Sequence, residues 1–140
     1  MLMKVAFASD DRATVNQHFG AARGFAIYAF DGGEQARLVE LVEFAAESMD
    51  GNETKLPARI DALAGCAAVY CLAIGASAVR QLLLAGVQPQ RLETATAIEP
   101  LLKGIAEALR LGGVAWIDKH IRQSRDDGRF SRMAEENWEE

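Results

Sequence analysis

The hydrophobic pattern of this chain changes once, after the polar loop ESMDGNE at 47–53, and that change limits the possible folds. Before it, three apolar runs at 3–9, 24–30 and 36–45 are short and partly alternating, which is typical of β-strands. After it, apolar residues recur at helical spacing in three segments. The apolar run AAVYCLA at 67–73 separates the first two of these segments. A run without polar positions indicates a central parallel strand that helices cover on both faces.

The three helical segments have recognisable ends. In the first, the apolar stripe begins at Leu56, and Pro57 is expected in the first turn. The second follows the IGAS turn at 74–77. The third is predicted to begin with Thr96 and Glu99, which have capping-box spacing, and to end at the glycine pair 112–113. The segment after that pair is expected to add one or two helical turns.

The resulting order of elements is β-β-β-α-β-α-β-α, with a DGGE hairpin turn at 31–34 and a short edge strand at 90–95. Strands joined by hairpins followed by strands joined through helices predict a mixed five-stranded sheet with helices on both faces. This is the order of the ribonuclease H-like α/β architecture. A flavodoxin-like or another α+β arrangement stays open as an alternative.

The size and charge of the chain exclude several classes of function. Its 140 residues suffice for one domain, predicted at 1–122, followed by a polar acidic tail at 123–140. The net charge of -5, without a basic stripe, argues against nucleic-acid binding. We expect no membrane span, because no apolar run reaches the roughly 20 residues required, and no signal peptide. Two cysteines do not form a disulfide framework and favour a cytoplasmic location.

Two loops are predicted to meet at one edge of the sheet. If the first strand and the 67–73 strand are parallel neighbours, their carboxyl ends share the edge where ligands bind in open α/β sheets. The loop to His18 follows the first strand, and the IGAS turn leads into a helix N-terminus that favours anions. Arg23, Arg80 and Lys55 would add positive charge if they face the same way.

Each of these features also has a purely structural explanation. A lone histidine is more often a surface residue than a metal ligand, and a glycine in a strand-to-helix turn often serves the backbone. Cys71 lies within a strand and is expected in the core, and packing is also favoured for Cys66. The residues alone therefore leave binding and purely structural roles open.

The chain does not carry a convincing catalytic pattern. A metal-dependent nuclease or hydrolase would need carboxylates on the first and fourth strands, whereas only Asp10 and Asp11 follow the first strand, and such loop aspartates often serve turns. The P-loop and GxGxxG patterns are missing from the sequence. A Cys71–His18 nucleophile would lack a third group and an oxyanion hole. The residues indicate binding rather than catalysis, so we expect no enzyme.

Two blocks of the sequence resemble the dinitrogenase iron–molybdenum cofactor biosynthesis family. In the first block, V-[DN]-x-H-F-G-x-A followed by F-x-I-Y falls on Val15, Asn16, His18, Phe19, Gly20, Ala22, Phe25, Ile27 and Tyr28. In the second, GC-strand-IG-x-x-A-x-x-L-x-x-AG-I-x-P falls on Gly65, Cys66, Ile74, Gly75, Leu82, Ala85, Gly86 and Pro89. The resemblance extends over 4–121. Ala76 and Ser77 depart from it, because family members often have glycine and proline there.

The resemblance implies a ribonuclease H-like fold and a non-catalytic carrier. The cargo would be a nitrogenase FeMo-co-type cluster or its iron–sulfur precursor, passed among NifB, a NifEN-like scaffold and apo-dinitrogenase. His18 is the implied cluster ligand, and Cys66 is a candidate second metal ligand. The other candidate cofactor-binding residues are Asn16, Phe19, Gly20, Arg23, Gly75 and Ser77.

The chemistry of the candidate ligands suits a carrier. Neutral imidazole is a good ligand for iron, and a cluster held by few ligands can be released, whereas four cysteines would retain it. One rival hypothesis is a cluster-free docking module of the nitrogen-fixation machinery. A second, less favoured, is a metal-dependent hydrolase that uses Asp10 and Asp11.

Overall fold

A computed structural model of the chain describes residues 3–31, 35–44 and 52–123, apart from the side chains of 52–55. The predicted DGGE turn beyond Asp31 and the predicted acidic tail beyond Gln123 lie outside these residues, as does the side chain of Lys55. None of the helices in these ranges combines the length and the apolar character that crossing a bilayer would require.

Seven strands and four α-helices make up the described chain. The strands are β1 (Met3–Ala8), β2 (Thr14–Val15), β3 (Gly24–Phe30), β4 (Arg37–Glu43), β5 (Cys66–Cys71), β6 (Gln88–Arg91) and β7 (Thr96–Ala97). The helices are α1 (Asn52–Ala62), α2 (Ala76–Leu84), α3 (Ile98–Leu111) and α4 (115–123), with a 3-10 turn at Phe19–Ala21.

The central sheet has five strands in the order β4-β3-β1-β5-β6. Strands β1, β3 and β4 pair antiparallel, whereas β1 with β5 and β5 with β6 pair parallel. The predicted mixed sheet is therefore confirmed, as is the parallel contact between the first strand and the strand near 67–73. Because β1 and β5 run the same way, their carboxyl ends open onto one edge of the sheet.

Helices cover both faces of this sheet, as predicted. Alternate residues of β1 divide between two cores: Val5 and Phe7 face α3 and α4, whereas Ala6 and Ala8 face α1 and α2. In the first core, the Phe7 ring stacks on Tyr70 with centroids 5.3 Å apart. The side chains of Tyr70 and Trp116 also meet edge to face, at 6.4 Å, so α4 is packed onto the sheet through its tryptophan.

The predicted capping box at the start of α3 is wrong. Thr96 belongs to β7, which pairs antiparallel with β2, and its hydroxyl donates to the carbonyl of Thr94 at 2.8 Å. Helix α3 instead begins after Ala97, which has no side-chain capping bond. The amide of Ile98 donates to the carbonyl of Ala13 at 2.9 Å. This tertiary contact satisfies one of the amides at the start of α3 that a capping side chain was expected to satisfy.

Other element ends differ by a few residues from the sequence prediction. The edge strand β6 covers Gln88–Arg91 rather than 90–95. Pro57 lies inside α1 rather than in its first turn, because that helix already begins at Asn52. The predicted end of α3 is confirmed: Gly112 has φ 76°, a conformation that glycine adopts without strain.

Candidate ligand site at the carboxyl edge of the sheet

The loop that carries His18 is bonded directly to the chain leaving β5. The amide of Phe19 donates to the carbonyl of Ala73 at 2.9 Å, and the amide of Leu72 donates to the carbonyl of Gln17 at 2.9 Å. These two bonds extend the pairing of the sheet beyond the regular strands. The predicted meeting of the two loops at this edge is therefore observed.

The His18 side chain is exposed, and one of its ring nitrogens is already engaged. Its Nδ1 accepts a hydrogen bond from the backbone amide of Ala73 at 3.1 Å. The residue has extended backbone geometry and directly precedes the 3-10 turn. A neutral imidazole that accepts at Nδ1 carries its proton on Nε2. The ring is thus held at the sheet edge in a defined orientation.

A polar network holds the loop between β1 and this histidine. The Asn16 amide donates to the Asp10 carboxylate at 2.7 Å, and the Asp10 backbone amide donates to Asn16 Oδ1 at 3.2 Å. The side chain of Gln17 donates to the Asn16 carbonyl at 3.2 Å and accepts from the Arg23 amide at 3.3 Å. The predicted binding residue Asn16 therefore fixes the loop with its own side chain.

Asp11 has a structural role in the same loop. Its Oδ1 accepts from the amides of Ala13 and Thr14 at 2.9 and 2.8 Å and from the hydroxyl of Ser9 at 3.0 Å. The bonds from the two amides, Ala13 first, lower the pKa of Asp11. The same Ser9 hydroxyl accepts from the amide of Arg12, whose φ is 65°. This carboxylate organises a turn.

The hydrolase hypothesis thus finds little support in the arrangement of the two aspartates. Asp10 is bonded to Asn16 and Asp11 to its own turn. Within residues 3–31, 35–44 and 52–123, no three His, Cys, Asp or Glu side chains are grouped so that they could hold a metal ion.

Phe19, predicted as a cofactor-binding residue, anchors the loop in the core, so its side chain is not available to a cofactor. The ring is fully buried and lies 5.8 Å from Phe25, centroid to centroid. Only the backbone of Phe19 takes part in the site edge, through its bond to Ala73. A buried aromatic next to His18 explains why the histidine has a fixed position although its own side chain is exposed.

Arg59 is a loop-positioning residue that the sequence analysis missed. Its guanidinium is buried, lies 4.4 Å above the Phe44 ring, and donates through Nε to the carbonyl of Ala22 at 3.0 Å, with a second bond from Nη2. Arg59 follows Leu56 by three residues and precedes Leu63 by four, so helical spacing places it on the inward stripe of α1. That spacing is the signal that could have identified it.

Two glycines beside His18 have open space where a side chain would begin. A Cβ atom added to Gly20 or Gly75 would have no atom within 4 Å. Neither glycine has a positive φ; that of Gly75, which precedes α2, is -78°. Packing and backbone conformation would thus allow alanine at both positions. The site has room for a group that approaches the backbone closely.

The remaining predicted residues occupy different positions around this edge. Ser77 is exposed in the first turn of α2, and its hydroxyl accepts from Gln81 at 3.1 Å. Arg23 is exposed and lines a cleft of about 290 Å³ between the end of β1 and β4. Arg12 and Glu43 form an exposed ion pair of 3.2 Å in that cleft.

Cys66 is not brought to His18. It begins β5, beside Lys4 at the start of β1, whereas His18 contacts the chain beyond the end of β5. The strand rise of about 3.3 Å per residue separates the two positions by roughly 20 Å. The cysteine is also buried, and burial raises the pKa of its thiol to about 11. Cys66 therefore does not lie where it could act as a second ligand beside His18.

The fold and the site together define a mixed α/β domain that presents an exposed imidazole at the carboxyl edge of a five-stranded sheet. Comparison with known proteins is more specific. The chain belongs to the dinitrogenase iron-molybdenum cofactor family, whose sequence model matches residues 1–108.

Individual relatives agree with this assignment. The chain is 50% identical to protein NifX of Azotobacter vinelandii, over 99% of this chain and 89% of that protein. It is 38% identical to protein NifX of Klebsiella pneumoniae, over 96% of this chain and 82% of that protein. The crystal structure of PH0822 resembles it with a TM-score of 0.58 and 28% identity, covering 76% of this chain and 90% of that one.

Proposed function

We propose that this chain transiently carries an iron–sulfur cargo, a FeMo-co-type cluster or its precursor, and binds it through His18. One observation carries the proposal: an exposed imidazole lies at the sheet edge next to two glycines that leave open space. Membership of a family described by the iron-molybdenum cofactor of dinitrogenase supports this class of cargo. The role is that of a carrier, without a catalytic step.

The residues around His18 suit such a cargo. Imidazole nitrogen is a good ligand for iron, and the missing side chains of Gly20 and Gly75 would let a bulky cluster lie against the backbone. The cluster is anionic, so the N-terminus of α2 and the exposed Arg23 and Arg80 would complement it. A single protein ligand would hold the cluster weakly enough for transfer.

The assembly context follows from the same family. NifB is proposed as a donor, and a NifEN-like scaffold or apo-dinitrogenase as an acceptor, within the cytoplasm. We assign the binding domain to 1–122. We also interpret the fold as ribonuclease H-like, which the order of three antiparallel strands followed by two parallel ones supports.

The two histidines of the chain allow a matched test. Under oxygen-free conditions, the intact protein and the His18→Ala and His120→Ala variants are mixed with purified precursor cluster, and bound iron and visible absorbance are measured after gel filtration. We expect His18→Ala to lose loading while its circular dichroism spectrum is unchanged. The His120→Ala control should load normally, because His120 lies on α4. Full loading of His18→Ala would refute the assignment of the ligand.

One feature favours a docking role as a second candidate. Strand β4 is at the edge of the sheet, and Leu38, Val39 and Leu41 on it are 45%, 44% and 38% exposed. Exposed apolar residues on an edge strand are typical of a surface that another protein covers. If docking is the function, Leu41→Lys will abolish co-purification with a NifEN-like scaffold, and the native chain will take up no iron.

A further inference from the structure

The hydrogen bond between Ala73 and His18 has the opposite polarity to the one that usually supports a metal ligand. A metal-bound histidine generally donates its second ring N–H to an acceptor, which fixes the ring orientation. Here Nδ1 faces the backbone N–H of Ala73, a donor, at 3.1 Å. The arrangement in the structure is therefore not the one expected around a loaded imidazole.

With this hydrogen bond in place, neither ring nitrogen of His18 is free to bind a metal ion. The lone pair of Nδ1 is occupied by the Ala73 amide, and a neutral ring in this state carries its proton on Nε2. A metal ion needs an unprotonated nitrogen with a free lone pair. Binding through Nδ1 requires the ring to leave Ala73 directly. Binding through Nε2 requires the proton to move from Nε2 to Nδ1, and the resulting Nδ1–H can no longer accept from the Ala73 amide.

We propose that the backbone N–H of Ala73 competes with the cargo for His18, so that loading requires the ring to turn away from Ala73. This inference rests on the proposed function, because it concerns the same imidazole. It makes Ala73 a positioning residue that acts through its main chain. The Ala73 amide returns to Nδ1 when the cargo leaves, which favours release to an acceptor.

The surroundings allow such a movement of the ring alone. The His18 side chain is exposed, so the ring can rotate about its Cβ–Cγ bond without disturbing the core. The backbone stays fixed, because Phe19 and Leu72 bond the two chain segments on either side and the Phe19 ring is buried. The competition therefore weakens binding without requiring the loop to open.

The size of the effect is that of one hydrogen bond. A typical intramolecular hydrogen bond has a net effect corresponding to roughly a 2- to 10-fold change in an equilibrium constant. Removing the Ala73 donor should therefore tighten cargo binding by roughly that factor.

The first experiment determines which nitrogen of the His18 ring carries the proton in the protein without cargo. Nuclear magnetic resonance of ¹⁵N-histidine-labelled protein at about pH 8, where histidine is generally neutral, identifies which nitrogen carries the proton. We expect the proton of His18 on Nε2, and a shift of the Ala73 amide signal in His18→Ala. A proton on Nδ1, or equal populations of the two forms, would overturn the inference.

The second experiment removes the donor. Ala73→Pro has no backbone N–H, whereas the matched control Ala73→Ser keeps it at an exposed position. Only the proline variant should lose the Nε2 preference and bind precursor cluster roughly 2- to 10-fold more tightly. Unchanged affinity in a folded proline variant would contradict the competition. If that variant does not fold, the measured position of the His18 proton in the native chain decides whether the inference holds.

The results separate this inference from the proposed function. Loss of the proposed function appears as full loading of His18→Ala, which the ring measurement does not involve. Failure of the present inference appears as a proton on Nδ1 in a protein whose loading still depends on His18.

Discussion

Asp10 and Asn16 form two reciprocal hydrogen bonds that hold the loop carrying the candidate ligand His18. The Asn16 amide donates to the Asp10 carboxylate at 2.7 Å, while the backbone amide of Asp10 donates to Asn16 Oδ1 at 3.2 Å. The pair connects the end of β1 to the residues just before His18. It requires one donor and one acceptor side chain, which an amide and a carboxylate provide.

Replacing Asn16 by aspartate should loosen this loop. The Asn16→Asp variant loses the donor and places a second carboxylate beside Asp10, so we expect the free energy of unfolding to fall by about 1 kcal/mol. Urea denaturation measures it. The exchanged variant, Asp10→Asn with Asn16→Asp, restores one donor and one acceptor and should recover most of the loss. An exchanged variant no more stable than Asn16→Asp would show that the pairing does not matter.

The buried guanidinium of Arg59 should contribute more to stability than an exposed arginine. Arg59→Met leaves the carbonyl of Ala22 without its charged donor, and we expect a loss of about 2 to 3 kcal/mol in the free energy of unfolding. Arg80→Met, on the exposed face of α2, is the control and should change it by less than about 0.5 kcal/mol. Equal effects of the two substitutions would contradict the positioning role of Arg59.

The glycines beside His18 can be tested for close approach of a ligand. Gly20→Ala and Gly75→Ala meet no atom within 4 Å, so both variants should fold. Gly20→Ala should be at least as stable as the native chain, whereas Gly75→Ala should be slightly less stable, because Gly75 is the N-cap of α2 and glycine is a better N-cap than alanine. If the cargo lies against the backbone, both should load less precursor cluster. The control is Gly104→Ala within α3, which also has open space but is outside the site, and it should load fully. Full loading of all three would argue against a backbone contact.

The centre of the sheet could be predicted from the sequence because β1, β3 and β5 are apolar runs whose order leaves few topologies. The edge strand β6 has the sequence QPQR, so its bounds were predicted less well. The pair β2–β7 could not be predicted, because each strand has two residues and the pairing depends on a tertiary contact. The same contact overrode the capping signal at Thr96. Short strands and helix caps are therefore the parts of this fold that local sequence specified least.

The site could be predicted only as far as the sheet topology determines it. Parallel pairing of β1 with β5 brings the His18 loop to residues 72–73, as expected. The HFG pattern does not reveal that the Phe19 ring points inward, since an aromatic residue beside a ligand could face either way. The hydrogen bond from the Ala73 amide to His18 joins residues 55 positions apart and has a main-chain donor, so no pattern of side chains could have predicted it.

Both cysteines should behave as buried thiols rather than as metal ligands. Burial raises the pKa of Cys66 and of Cys71 to about 11. An aromatic disulfide reagent should therefore label neither thiol in the native protein at about pH 8, and both once the chain is unfolded in urea. Cys66→Ala should leave cluster loading unchanged, whereas rapid labelling of native Cys66 would contradict the burial argument.

The same thiols predict how stability depends on alkaline pH. In the unfolded chain a thiol loses its proton near its ordinary pKa of about 9, whereas the folded thiols keep theirs until about 11. The unfolded state therefore binds fewer protons over this interval, and the free energy of unfolding should fall as the pH rises from about 9 towards 11. Urea denaturation across this range tests the sign. A Cys66→Ala, Cys71→Ala variant should lose part of this slope, and an identical slope would assign the alkaline sensitivity to other groups.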